Sequence, residues 1–161
     1  MISSNCVNIV RLYEGLSLKS YPDPATGGEP YTIGYGSTRY ANGDKVKLGE
    51  IVTLQEAERL LTNDLERRYN AIKGWLPEKI NQNQIDSLVS FVYNCGVGAF
   101  EKSTLRKKVW ANPNDTTIHN EFMRWTKAAG KVMLGLVKRR QSESKLYYTP
   151  ITTHPQQNPT L

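Results

Sequence analysis

The chain has 161 residues, 39% hydrophobic and 22% charged, with a formal net charge of +6. That is long enough to bury a core without disulfides or metal, and the composition excludes a disordered polymer. The positive balance points to a polyanionic partner: nucleic acid, anionic lipid, or a bacterial wall carrying carboxylates and phosphates.

The first predicted helix covers residues 4–15. Ser4 or Asn5 caps it, Cys6, Ile9, Val10 and Tyr13 form its apolar stripe, and Gly15 stops it. Asn5, Asn8 and Arg11 interrupt its apolar residues, so neither a signal peptide nor a membrane span is expected. Leu16 to Tyr21 reads as an extended link.

Residues 17–52 then change character. Glycines, prolines and alternating Tyr, Thr and Ile predict a small antiparallel sheet of two or three strands, with a strand over Tyr31–Gly36 and a hairpin turn at Asn42–Gly43. A capping box at Thr53 and Glu56 opens a long helix to about Lys73, closed by Gly74 and Pro77.

Residues 82–95 form the most apolar helix, capped by Asn81 with Gln84, stopped by Gly96, and expected at the centre of the larger core. Phe100 is placed on a short turn. Helices follow from Ser103 or Thr104 to Ala111, from Thr116 through Trp125, and from Leu136 to Tyr147, with a turn at Ala128–Gly130. The Pro-, Thr- and Gln-rich tail, residues 149–161, reads as mobile. The order is α+β: a sheet lobe over about 16–52, and a helical lobe over 75–148 that includes the first helix. The long helix joins the lobes, and residues 1–148 make one domain.

Cys6 and Cys95 lie far apart, and neither has CxxC spacing or a histidine nearby. They read as small buried side chains, with a disulfide left open; no metal and no cofactor are expected. His119 and His154 are isolated and offer nothing for a Ser-His-Asp arrangement.

Chemistry concentrates between Tyr13 and Thr38. Glu14 ends the first helix, where the negative end of the helix dipole favours a protonated carboxyl, the state a general acid needs. Asp23, in a turn among prolines and glycines, is expected to be hydrated and ionised. Thr32 on the next strand offers a hydroxyl to hold a water. Two carboxyls in contrasting environments are the usual equipment of glycoside hydrolysis. The same residues also suit a bland reading, since helix-end Glu and pre-proline Asp are common on surfaces. Tyr21, Tyr31 and Tyr35 fit sugar stacking or sheet packing. Arg139 and Arg140 fit a solvated helix face or a reach toward an active-site carboxylate.

Glu14-Gly15-Leu16, Leu18-Lys19, Tyr21, Asp23 and Tyr31-Thr32-Ile33-Gly34-Tyr35-Gly36 resemble the signature of the phage-type lysozymes, endolysins of glycoside hydrolase family 24. Asn83-Gln84, Ser90-Phe91, Tyr93-Asn94, Gly96-Val97-Gly98 and Ser103-Thr104-Leu105 are similar to that family's central helix and following turn. Arg124-Trp125 and Gly135-Leu136-Val137-Lys138-Arg139-Arg140 are similar to its C-terminal block.

The resemblance implies a lysozyme-like fold. It also implies cleavage of the β-1,4 bond between N-acetylmuramic acid and N-acetylglucosamine in peptidoglycan. Glu14 matches the general acid, Asp23 the second carboxylate and Thr32 the third catalytic position. Thr38, Tyr93 and Ser103 match positions where the cleft meets the sugar chain. Much of the family inverts the anomeric centre, which requires carboxyls about 6.5–9.5 Å apart. Two departures stand out: extra residues between Asp23 and Thr32, including Gly27-Gly28-Glu29-Pro30, and Ser37 where the family often has histidine.

The expected partner is bacterial peptidoglycan, met by a monomer made in the host cytoplasm and released through a holin-type membrane lesion. No nucleic acid and no stable membrane insertion are expected. Two rivals are a non-catalytic wall binder with the same fold and a basic helical nucleic-acid binder. The first is disfavoured because Glu14, Asp23 and Thr32 are all present. The second is disfavoured because no helix concentrates its Lys and Arg with base-reading partners.

Overall fold

The computed structural model describes residues 1–151. The tail expected to be mobile falls mainly on residues 152–161, outside the described residues. Helix α1 spans Ser4–Tyr13, followed by strands β1, Ser17–Tyr21, and β2, Thr32–Gly34. Then come α2, Leu54–Ile72; α3, Gln82–Cys95; α4, Val97–Lys102; α5, Thr104–Ala111; and α6, Ile118–Met123. A hairpin of β3, Lys127–Ala128, and β4, Lys131–Val132, leads into α7, Leu134–Tyr147. This is the α+β plan of a small antiparallel sheet and a larger helical lobe.

The segment expected as an extended link is itself a strand. β1 pairs antiparallel with β2 in a register running from Ser17–Gly34 to Tyr21–Thr32 with an irregularity between. On its other side, Ser20 N donates to Glu50 O at 2.9 Å and Val52 N to Leu18 O at 2.9 Å. β1 is therefore the middle of three extended runs. Gly34 has φ +66, and a Cβ there would lie 3.3 Å from that of Ala57, so the missing side chain lets β2 sit against α2.

Local chemistry accounts for most helix ends. Ser3, one residue before the expected cap, accepts from Asn5 N, and its own N and Oγ donate to the buried Asp86 of α3. Asn81 and Gln84 form the reciprocal capping box of α3, and Gly96 ends it at φ +92. Phe100 lies on helix α4 rather than a turn, because Gly96 O accepts from Phe100 N and restarts the helical ladder. The helix expected from Thr116 begins at Ile118, and its N-cap, Thr117, makes no side-chain cap bond. The last helix starts two residues early, at Leu134.

The core of the helical lobe gathers on α3. Phe91 is fully buried and meets the rings of Phe100, Phe122 and Trp125 edge-on at centroid distances of 6.2, 5.8 and 5.3 Å. Edge-to-face aromatics add to the burial of their area. Leu60, Leu61 and Leu65 of α2 and Cys6, Ile9 and Val10 of α1 complete the same cluster. Phe91→Ala is expected to lower unfolding free energy by about 3–5 kcal/mol, the range for a large aromatic deleted from a close-packed core. Urea titration of the two proteins measures this difference.

Candidate functional site

Glu14 is the C-cap of α1: its backbone leaves the helix at φ −97 and ψ 134 while its N–H donates to Val10 O. Three contacts fix where α1 delivers it. The Tyr13 hydroxyl donates to Lys138 O at 2.9 Å and lies 2.6 Å from Ser142 Oγ, which docks the end of α1 on α7. Arg139 Nη1 donates to Glu14 Oε1 at 2.5 Å. The Glu14 side chain stays 24% exposed while that of Arg139 is 3% exposed, so a buried cation holds a reachable carboxyl.

Arg139 belongs to a buried polar cluster, not to a solvated helix face. Its Nε donates to Glu143 Oε1 at 3.1 Å and its Nη2 to Ser90 O at 3.3 Å. Arg140, wholly buried, donates through Nη2 to Glu143 Oε1 and Asn94 Oδ1, and through Nη1 to Cys95 Sγ. Arg140 Nε and Glu143 Oε2 face each other at 2.9 Å but out of line for a hydrogen bond, so that contact is an ion pair alone. Ser90 Oγ donates to Glu143 Oε1 and Ser87 Oγ to Glu143 O, tying the cluster to α3.

Burial by itself pushes the pKa of Arg139 down. The carboxylates of Glu143 and Glu14 outweigh that, and the net direction is up. Burial also raises the Glu143 pKa, opposed by Arg140 and Arg139. Both cysteines are free: Cys6 is buried and Cys95 half-buried beside Arg140.

Asp23 and Thr32 flank the loop end of the β1–β2 pairing, Asp23 just past β1 and Thr32 at the start of β2. Thr32 is the register partner of Tyr21, and Asp23 lies two residues past Tyr21. The added turn folds on Asp23: its O accepts from Thr26 N and Gly27 N, its N donates to Gly28 O, and its Oδ1 accepts from Ala25 N at 2.8 Å. One carboxylate oxygen is thus held by the turn. The Thr32 hydroxyl makes no hydrogen bond to protein among the described residues.

Tyr93 joins the two lobes. Its hydroxyl, on α3, donates to Tyr35 O at 2.9 Å and lies 3.3 Å from where a Cβ on Gly36 would stand. Gly36 has φ +107, so no other residue fits there without strain. Burial, then the charges of Asp64 and Glu14, raise the Tyr93 pKa; Arg68 and Arg139 oppose them. Beside it, Ser37 is buried and its Oγ donates to Asp64 Oδ2 at 2.5 Å, a structural tie between hairpin and α2.

Thr38 is exposed and borders two depressions of about 330 Å³ each, one within the sheet lobe and one against α2 and α3. Glu14, Asp23 and Thr32 line neither of them. Ser103 is buried, and its hydroxyl donates to Phe100 O and accepts from Arg106 N as the cap of α5. Any effect of Ser103 on a ligand passes through the turn it caps.

Sequence reasoning missed Glu143, Ser90 and Asp64. A signal for the first existed: Arg139, Arg140 and Glu143 stand at the three- and four-residue spacings that share a helix face. Among the described residues no group of three His, Cys, Asp or Glu side chains is placed to hold a metal ion. Likewise, no described helix is long and apolar enough to cross a membrane.

A family model described as phage lysozyme matches residues 11–143. An endolysin of Bacillus phage B103 is 38% identical over 148 residues, covering 92% of this chain and 54% of that protein. The chain thus spans about half the length of that relative, and the same holds for the endolysin of Bacillus phage PZA. An endolysin of Salmonella phage P22 is 36% identical over 146 residues, covering 91% of this chain and 97% of that one. Among solved structures, the endolysin from Escherichia coli O157:H7 phage FAHEc1 superposes with a TM-score of 0.81 at 32% identity, covering 96% and 97% of the two chains. The muramidase domain of SpmX from Asticaccaulis excentricus superposes with a TM-score of 0.80 at 31% identity, covering 93% and 99%.

Removing one partner of a buried ion pair leaves the other charge uncompensated. Glu143→Ala strands the buried Arg140 guanidinium, leaves Arg139 with Glu14 alone, and is expected to destabilise the fold by about 3–5 kcal/mol, read by urea unfolding. The exposed pair Arg59–Glu56 serves as the control, where Glu56→Ala is expected to shift stability by about 1 kcal/mol or less.

Proposed function

The chain belongs to the phage lysozyme family, and from that membership we propose that it is a muramidase hydrolysing the β-1,4 bonds between N-acetylmuramic acid and N-acetylglucosamine in bacterial peptidoglycan. The observation that carries this reading is Glu14 itself, a part-exposed carboxyl at a helix end gripped from behind by the buried Arg139. A general acid must be reachable by substrate yet fixed in rotamer, and this arrangement meets both demands.

In the proposed reaction Glu14 gives its proton to the glycosidic oxygen as the C1–O bond breaks. A water held by the Asp23 carboxylate and the Thr32 hydroxyl attacks C1 from the opposite face and loses its proton to Asp23. The product is the inverted α anomer. Loss of the proton leaves Glu14 as a carboxylate facing the Arg139 guanidinium, so the product-side charge forms where a cation already stands. Arg139 acts as a positioning residue.

Thr38 and Tyr93 are assigned to the sugar-binding face, and Ser103 to the turn behind it. On this reading the protein acts as a monomer on the wall. It reaches the wall from the host cytoplasm through a holin-type lesion and lyses the cell. The net charge of +6 supports attraction to a polyanionic wall that weakens with salt.

Glu14→Gln is expected to cut release of reducing ends from purified peptidoglycan by roughly a hundredfold or more. Its circular dichroism and its co-sedimentation with wall should remain those of the unchanged protein. A variant that clears wall at the original rate would sink the assignment, and wall binding without hydrolysis by the unchanged protein would favour a non-catalytic binder. For the stereochemistry, proton NMR of the first-formed sugar is expected to show the α anomer; a β anomer would mean retention.

A further inference from the structure

We propose that the depression between the sheet hairpin, α2 and α3 is a subsite for an anionic substituent of the glycan strand, held by the guanidiniums of Arg39 and Arg68. This inference rests on the muramidase reading and names a part of the substrate which that reading leaves open.

The depression is about 330 Å³ and is lined by Arg39, Arg67, Arg68, Asp64, Thr38 and Tyr93, with Gly36 in its wall. Its charges are three guanidiniums against one carboxylate. The carboxylate is already engaged: Asp64 is buried and accepts from Ser37 Oγ and from Arg67 Nη2. That pairing cancels Arg67. Two exposed guanidiniums remain. Arg39 uses Nη1 on Gly43 O at 2.8 Å, and its other N–H groups are free. Arg68 has no hydrogen-bond or ion-pair partner among the described residues.

Arg39 stands on the sheet lobe and Arg68 on α2, the helix that joins the lobes, so an anion between them bridges the two. Their placement is set by rigid parts. Tyr93 clamps Tyr35 O, and Gly36 is bare where that hydroxyl passes. Tyr93 lines the depression itself, and its hydroxyl holds Tyr35 O, three residues after Thr32 in the chain. A glycan strand that meets Thr38 and Tyr93, the proposed sugar-binding face, meets a cationic, oxygen-seeking recess there. Guanidiniums bind carboxylates and phosphates in the same bidentate geometry. Peptidoglycan offers both, as stem-peptide carboxylates and as phosphodiester polymers attached to the glycan.

The test compares hydrolysis of three substrates: whole wall, wall freed of phosphodiester polymers by hydrofluoric acid, and that material with its carboxyls amidated. The variant is the double substitution Arg39→Gln with Arg68→Gln. The control is Lys79→Gln with Lys107→Gln, two exposed lysines outside the depression whose loss changes net charge equally. Stripping the recognised anion is expected to raise the half-saturating concentration of the unchanged protein roughly tenfold with little change in maximal rate. The step at which this happens identifies the source, phosphodiester or carboxylate. The variant should show the raised value already on whole wall and respond little to stripping, while the control follows the unchanged protein.

The subsite is overturned if variant and control weaken together, if the variant equals the unchanged protein on whole wall, or if it keeps full sensitivity to stripping. If the unchanged protein releases no reducing ends from any substrate, the muramidase reading fails. Co-sedimentation with the same three walls then decides the subsite. It stands if stripping weakens binding of the unchanged protein and not of the variant, and falls if the two sediment alike.

Discussion

A carboxylate that is wholly inside the protein sets the constraint on which the site depends. Glu143 lies between Arg139 and Arg140 on one helix, in hydrogen-bond reach of Ser90. Moving such charges from water to the interior costs several kcal/mol per ion unless partners replace the lost solvent. The cluster answers that cost with ion pairs and with donors and acceptors on α3. At Glu14 the chain of charges reaches solvent. The rotamer of the proposed acid is thus fixed by the packing of α1 and α3 on α7, and a disturbance deep in the helical lobe reaches the site through Arg139.

The sheet lobe is joined to this frame by specific contacts beside the shared apolar core. Gly34 lets β2 meet α2 at Ala57, Ser37 is tied to Asp64, and the Tyr93 hydroxyl holds Tyr35 O. Each of these contacts involves the short run from Gly34 to Ser37, and Ile33, Val46 and Val52 add apolar packing in the same core cluster. The tie through Ser37 gives that position a structural role between hairpin and α2. A hydroxyl 2.5 Å from a buried carboxylate supplies a charge-assisted hydrogen bond of its own.

Much of the fold was legible before any coordinates. The bounds of α2 and α3 follow from the caps at Thr53 and Asn81 and from apolar stripes of period 3.6, because caps and stripes act within one element. α7 was legible only as a helix. Its inward face is Arg139, Arg140, Glu143, Ser144 and Tyr147, so hydrophobic periodicity had nothing to detect and the arginines read as surface. The strand β1 looks like a link in sequence because its inward residues are few, and its pairing is supplied by β2 on one edge and residues 50–52 on the other. Glu14, Asp23 and Thr32 were legible as candidates by residue type and spacing. The partner that holds Glu14 was not, since it stands 125 positions away.

The sequence by itself determined the α+β order, the caps of α2 and α3 and the family, and it named the candidate side chains. These depend on local spacing and on motifs that survive as strings of residues. Only the tertiary structure decided which charges are buried, which carboxyl is gripped and which guanidiniums stay free. Burial and pairing are properties of surfaces brought together from opposite ends of the chain. Arg139 and Arg68 are the same residue type on exposed-looking helices. Packing alone makes one the buried support of Glu14 and leaves the other open beside Tyr93.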